Sequence, residues 1–177
     1  LPAEERPDKF HGTGSYDPKT GQSVSSKSAP TYTDIFAKTM IALGKQDERI
    51  SGITAAMPSG TGIGAFAKEF PNRSYDVGIA EEHAVTMASA MALDGQIPVV
   101  AIYSTFLQRG FDQIIHDVAL QNAPVIFALD RGGIVGEDGP THHGVFDMAF
   151  LRPIPNLIIA SPRNATELRQ LLYTAQM

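Results

Sequence analysis

Continuous apolar runs alternate with segments of helical period along this chain, and that alternation constrains the fold more than any other feature. The runs are "RISGITAA", "SYDVGI", "IPVVAIYS", "PVIFALD" and "NLIIAS". Strands apolar on both faces belong in a sheet covered on both sides, and parallel strands need long crossovers, usually helices. Such segments stand between the runs: "GIGAFAKEFP", "EEHAVTMASAMALDG" and "FLQRGFDQIIHDVALQN". "TYTDIFAKTMIALGKQD" precedes the first run and "NATELRQLLYTAQ" follows the last. In the leading helix Ile35, Phe36, Thr39, Met40 and Leu43 recur at helical spacing, and Thr31 or Thr33 suits its N-cap. Pro71 stops the next helix, while Glu81 and Glu82 open the one that Gly95 ends. The pattern predicts an α/β fold: a doubly wound, mostly parallel sheet with helices on both faces. About five strands are too few for an eight-unit barrel.

The 177 residues make about one domain, and 43% hydrophobic content is enough for a core. Residues 1–30, rich in Gly, Pro, Ser and charge, read as a linker or extended arm, and residues 31–177 as the folded domain. A net charge of -5 argues against nucleic-acid and anionic-membrane partners. The absence of cysteine excludes disulfides and thiolate metal sites. No apolar run approaches the roughly 20 residues of a membrane span, and no signal peptide is visible. The chain opens at Leu1 with loop-like residues and ends at "LLYTAQM", inside a helical pattern, so both edges read as cuts in a larger protein.

Ligands of open parallel sheets bind outside the carboxyl ends of the strands. That rule selects Glu81, Glu82 and His83 after "SYDVGI", then Tyr103, Phe106 and Arg109 after "IPVVAI". After "PVIFALD" it selects Arg131 and the loop from Asp138 to His142. Each residue also has a plainer reading. Acids in a first helical turn stabilise the macrodipole. Tyr103 and Phe106 suit a core, and Arg109 and Arg131 suit solvent or ion pairs. His142 and His143, being adjacent, point in different directions and are poorly placed to chelate one metal; a polar contact to a substrate fits the glycine-rich "GEDGPTHHGVFD" better. Asp138-Gly139 with Asn164 only faintly suggests a diphosphate–metal motif, because Glu137 stands where a glycine is needed and Asn164 suits the cap of the last helix.

"DVGIAEEHAVTMASAMAL", "AIYSTFLQRGFDQIIHDVALQNAPVIFALDR" and "GIVGEDGPTHHGVFD" resemble the 1-deoxy-D-xylulose-5-phosphate synthases, thiamine-diphosphate enzymes of the transketolase superfamily. The likeness covers nearly the whole chain but only the pyrimidine-binding domain of such an enzyme. It implies that a diphosphate-binding domain lies upstream, holding the Mg2+, and that a C-terminal domain follows. "FHGTGSYDPKTG" resembles the tail of that upstream domain and implies a role for His11 near the cofactor. The resemblance implies that Glu81 is the carboxylate activating the aminopyrimidine of thiamine diphosphate and that Phe106 stacks on that ring. It implies that Met57 and Ile79 support the bent cofactor. Tyr103, Arg109, Asp138 and His142 match residues around the pyruvate-derived adduct, with His142 also handling protons, and Arg131 matches a ligand of the aldehyde's phosphate. The implied substrates are pyruvate and glyceraldehyde 3-phosphate, and the implied assembly is a homodimer in the cytoplasm, or in a plastid if from a plant. No metal ligand is expected in this chain, which alone is expected to be inactive. Another transketolase-like enzyme, or a dehydrogenase E1 β-type subunit, is the alternative.

Overall fold

The computed structural model describes residues 2–5, 14–17, 19, 22, 29–136 and 138–177. The chain divides into two compact units, Leu1–Thr31 and Tyr32–Met177. In the first, Pro2–Glu5 forms one helical turn. The Asp17 amide donates to the Gln22 carbonyl, and the Lys19 amide donates to the Asp17 carboxylate.

The second unit is built on four parallel strands: β1 (Ile50–Thr54), β2 (Ser74–Asp76), β3 (Ile97–Tyr103) and β4 (Ile126–Asp130), in the order β2-β1-β3-β4. The helices are α1 (Tyr32–Gln46), α2 (Ile63–Glu69), α3 (Glu81–Leu93), α4 (Ser104–Leu107), α5 (Asp147–Leu151) and α6 (Ala165–Ala175). β3 is central, pairing Val99 with Gly52 of β1 on one side and with Ile126 of β4 on the other. Its alternate residues serve the two faces. Val99 and Ala101 join Phe36, Met40, Leu43, Ile63, Phe66 and Leu172 in one core. Val100 and Ile102 join Ala84, Val85, Ala88, Leu107, Ile114 and Val118 in the other. Each large aliphatic side chain so buried contributes about 1.5–3 kcal/mol.

Small residues set the close approaches. A Cβ on Gly52 would meet the Ile63 and Phe66 side chains at 3.0 and 3.2 Å, so α2 lies tight against β1. α3 buries Ala84 and Ala88 in the core shared with the sheet, and buries Ser89 and Ala92 as well. It ends as expected at Gly95, whose φ of +87° is the left-handed conformation, with the Gly95 amide donating to Ala92 and the Gln96 amide to Met91. The Asn164 side chain accepts from the Glu167 amide at 2.9 Å, confirming it as the cap of α6.

Three expectations need correction. "NLIIAS" is not a strand: Ile158 is 97% exposed, and β4 is left at the sheet edge among the described residues. Asn156, at φ +64°, turns the chain and donates from its amide to the Ala119 carbonyl, so the run does not enter the ladder. "FLQRGFDQIIHDVALQN" is not one regular helix. α4 passes into a 3-10 turn at Gln108–Gly110, then through Phe111–Gln113 into a π-helix at Ile114–Ala119. Gly110, a weak helix former, sits where a Cβ would meet Val85 at 3.0 Å. Finally, Thr33 does not cap α1; its hydroxyl is bonded to Asp130, and Thr31 precedes the helix.

Candidate functional site

The strand order places a topological switch between β1 and β3. α2 follows β1 into one core, whereas α3 and α4 deliver Val85 and Leu107 to the opposite core. A crevice at such a switch, outside the carboxyl ends of the strands, is the expected ligand position in a doubly wound sheet. Every described site residue expected from the sequence lies at or just after the carboxyl end of a strand.

Glu81, the first residue of α3, is 3% exposed. Its Oε1 receives the Arg109 guanidinium at 2.8 Å, while its Oε2 is buried without a hydrogen-bond partner among the described residues. Glu82, its neighbour, is exposed. A buried carboxylate oxygen left unbonded is costly, and functional sites are where such cost is retained.

Tyr103 ends β3 and is buried, its ring stacked on Phe106 with centroids 5.7 Å apart. Burial pushes the Tyr103 hydroxyl above its usual pKa, against the opposing pull of the nearby Arg131 charge. Its hydroxyl lies beside Gly60, where a side chain would collide with it; Met57 flanks the same glycine, its methyl 3.2 Å from that Cβ position. The His142 ring meets Phe106 edge-on at 5.3 Å and Tyr103 at 6.3 Å. Arg109 lies 5.3 Å over the Phe106 ring, so one guanidinium connects the buried carboxylate to the aromatic group. On the far side Arg131 lies 5.2 Å over the Tyr103 ring and pairs through Nε with Asp138 at 3.0 Å.

The structure thus gathers Glu81, Arg109, Phe106, Tyr103, His142, Arg131 and Asp138 into one connected set. Arg109, expected at a substrate, is paired with Glu81. Ile79 stands apart in the loop before α3, 82% exposed. His11 lies outside the described residues. Among the described residues, no group of three or more histidines and acids is arranged to hold a metal, and no helix is long and apolar enough to cross a membrane.

The two adjacent histidines do diverge. His142 closes the 3-10 turn Pro140–His142 and faces the aromatic pair, whereas the His143 Nδ1 accepts from the Val135 amide at 3.1 Å. That bond places the neutral ring's proton on Nε2. Gly133 and Gly144 exchange amide–carbonyl bonds of 2.8 and 2.9 Å, pinning the base of the loop. A side chain at Gly144 would strike the Arg131 carbonyl and the Ser104 side chain, so glycine is required there by close approach. Sequence reasoning missed Asp130, the Thr33–Asp130 hydrogen bond of 2.7 Å and the Ser104–Asp147 hydrogen bond of 2.8 Å. Only for Asp130 did a signal exist, an acid at the carboxyl end of an apolar strand.

The residues fit one half of a thiamine-diphosphate site. An unbonded carboxylate oxygen is a suitable acceptor for a protonated ring nitrogen, and Phe106, reached through Arg109, supplies a flat apolar face.

Residues 28–177 match the family described as transketolase, pyrimidine binding domain. A 1-deoxy-D-xylulose-5-phosphate synthase from Pelotomaculum thermopropionicum is 58% identical over 174 residues, covering 98% of this chain and 27% of the relative. One from Carboxydothermus hydrogenoformans is 60% identical over 173 residues, covering 98% of this chain and 28% of the relative. The chain therefore spans about a quarter of the length of these curated relatives. Among solved structures, a split gene transketolase described as an inactive beta4 tetramer superposes with a TM-score of 0.74 at 25% identity, over 84% of this chain and 48% of that one. A parallel sheet of this order, a buried acid at its switch point and a match that runs from residue 28 to the last residue agree: the chain belongs to the family of transketolase pyrimidine-binding domains.

Proposed function

We propose that this chain supplies the pyrimidine-binding half of a thiamine-diphosphate site in a transferase. The enzyme decarboxylates pyruvate and joins the remaining two carbons to D-glyceraldehyde 3-phosphate, giving 1-deoxy-D-xylulose 5-phosphate and carbon dioxide, a precursor of isoprenoids, thiamine and pyridoxal. The observation that carries this reading is Glu81, buried with one oxygen on Arg109 and the other without a hydrogen-bond partner among the described residues. The relatives of about 58% identity, named for that activity, support this choice of reaction.

When bound, thiamine diphosphate supplies a nucleophilic carbon and an electron sink for decarboxylating a 2-oxo acid. Glu81 accepts a hydrogen bond from the pyrimidine's protonated ring nitrogen, and Arg109 fixes the carboxylate's orientation. Phe106 stacks on the pyrimidine, while Met57 and Ile79 provide apolar support. Tyr103, Asp138 and His142 bound the substrate space, with His142 handling the proton of the reacting oxygen. Arg131 binds the aldehyde's phosphate, where a guanidinium fork matches the oxygens. His11, together with an upstream domain holding Mg2+, completes the site. The enzyme acts as a homodimer in the cytoplasm, or in a plastid if from a plant.

A second reading has its own support: the split gene transketolase shares this fold at 25% identity, so another transketolase-type or E1 β-type enzyme is the alternative. That subunit's description as inactive also supports the expectation that this chain alone does not turn over. Product analysis decides. The complete chain, with the flanking domains that the longer relatives carry, is given glyceraldehyde 3-phosphate together with pyruvate in one assay and with a ketose phosphate in another. Deoxyxylulose phosphate with carbon dioxide is the expected outcome. Two-carbon transfer from a ketose phosphate without carbon dioxide would sink the proposal in favour of a transketolase.

A further inference from the structure

Arg131 occupies an unusual backbone. Its φ is +59°, a left-handed conformation that is unfavourable for a residue with a side chain. Two adjoining contacts hold it there. The Arg131 amide donates to Asp130 Oδ1 at 2.7 Å, and the Gly144 backbone closes over the Arg131 carbonyl. The second oxygen of the same carboxylate, Asp130 Oδ2, accepts from the Thr33 hydroxyl at 2.7 Å. Thr33 belongs to α1, and Asp130 is the last residue of β4, so this bond spans 97 positions in sequence. The result is a chain of contacts: a hydroxyl on a packed helix, a carboxylate at a strand end, and an amide in a strained turn. Beyond it the guanidinium lies over Tyr103.

An acid one residue from a cation meant for phosphate would ordinarily oppose the anion. Here both Asp130 oxygens already accept bonds from neutral donors, one on α1 and one in the Arg131 backbone, which gives the carboxylate a mechanical task. We propose that Asp130 is a positioning residue: clamped by Thr33, it holds the strained Arg131 backbone so that the guanidinium meets the phosphate of the incoming aldehyde. The inference rests on the reading of Arg131 as the phosphate ligand. It adds that specificity for a phosphorylated acceptor depends on a hydrogen bond from α1, outside the loop that carries the arginine.

The test is steady-state kinetics on the complete chain with saturating pyruvate, comparing glyceraldehyde 3-phosphate with unphosphorylated glyceraldehyde. Arg131→Ala should raise KM for the phosphorylated aldehyde about thirtyfold, the usual weight of a charge-assisted contact. Asp130→Ala should raise the same KM about tenfold, since the cation is kept but not its placement. Its KM for pyruvate and for glyceraldehyde should stay within about twofold of wild type. Asp130→Asn keeps a side-chain oxygen for the Arg131 amide and should recover most of the loss. Thr33→Val, nearly isosteric, removes only the hydroxyl and should give an intermediate, equally selective defect, and it serves if Asp130→Ala does not fold. If Arg131→Ala is selective for the phosphate while Asp130→Ala and Thr33→Val are not, the positioning role is overturned alone. If Arg131→Ala itself affects both aldehydes equally, the phosphate reading falls and this inference falls with it.

Discussion

Arg109 and Glu81, 28 positions apart, meet at 2.8 Å, and the acid of the pair is 3% exposed while the arginine side chain is half in solvent. The pairing gives Glu81 a half-exposed charged partner and leaves its second oxygen without a hydrogen-bond partner among the described residues. A helix-dipole role accounts for an acid in the first turn, but not for one that is buried and half-satisfied. Its neighbour Glu82, exposed on the same turn, fits the dipole role well.

Glu81→Gln in the complete chain should therefore keep the shape and lose the charge. Turnover should fall at least about 100-fold, the low end for removing a positioned acid–base group. Proton exchange at the cofactor's reactive carbon should slow in parallel, and cofactor affinity should fall less. Glu82→Gln should leave both rates near wild type. The assignment fails if the exchange rate in Glu81→Gln equals wild type, or if Glu82→Gln proves the damaging change.

Removing Arg109 should register first as stability. Arg109→Ala strands a buried carboxylate, a change that costs 3–5 kcal/mol when both partners are buried. Arg109 is half-exposed, so solvent reaches the pair and the expected cost is about 1–2 kcal/mol, or roughly 2–8 °C in Tm for a unit of this size. Arg109→Lys should fall between, keeping the charge and losing the planar fork. A double-mutant cycle with Glu81→Gln checks the coupling. Additive losses in that cycle would show that the two side chains act independently and would refute the pairing as an energetic unit.

The distinction between what the sequence carried and what it did not is physical. β1, β3 and β4 were legible because a strand covered on both faces is apolar throughout, and α6 because Asn164 is a strong N-cap. The gathering of Glu81, Tyr103, Phe106, Arg131 and His142 at one edge followed from the parallel order alone. "NLIIAS" misled because β propensity describes a fit to a half-buried surface, and this run lacks the partner ladder. The widening at Ile114–Ala119 left no trace in the apolar period, which both helix types satisfy locally. The bonds Arg109–Glu81 and Thr33–Asp130 were illegible for another reason: pairings between distant positions have no periodic signature.

Acid should weaken this chain in part through Asp47. The Arg49 side chain and amide both donate to its carboxylate and lower its pKa from 3.8 to about 2. Glu167 is lowered in the same sense, first by the Arg163 amide and then by the Arg163 side chain. A carboxyl group whose folded pKa lies below its unfolded value binds protons more readily when unfolded. Its contribution is thus complete above the unfolded value and is lost as pH falls through the folded one. For Asp47 that window runs from 3.8 down to about 2. Asp47→Asn should be less stable than wild type in urea titrations at pH 5–6, and the gap should close as pH falls through the window. Because the pair is exposed, added salt should narrow the gap at pH 6 as well. A gap that stays constant between pH 6 and pH 2 would mean that the charge of Asp47 contributes nothing, and that the Arg49 contacts are incidental.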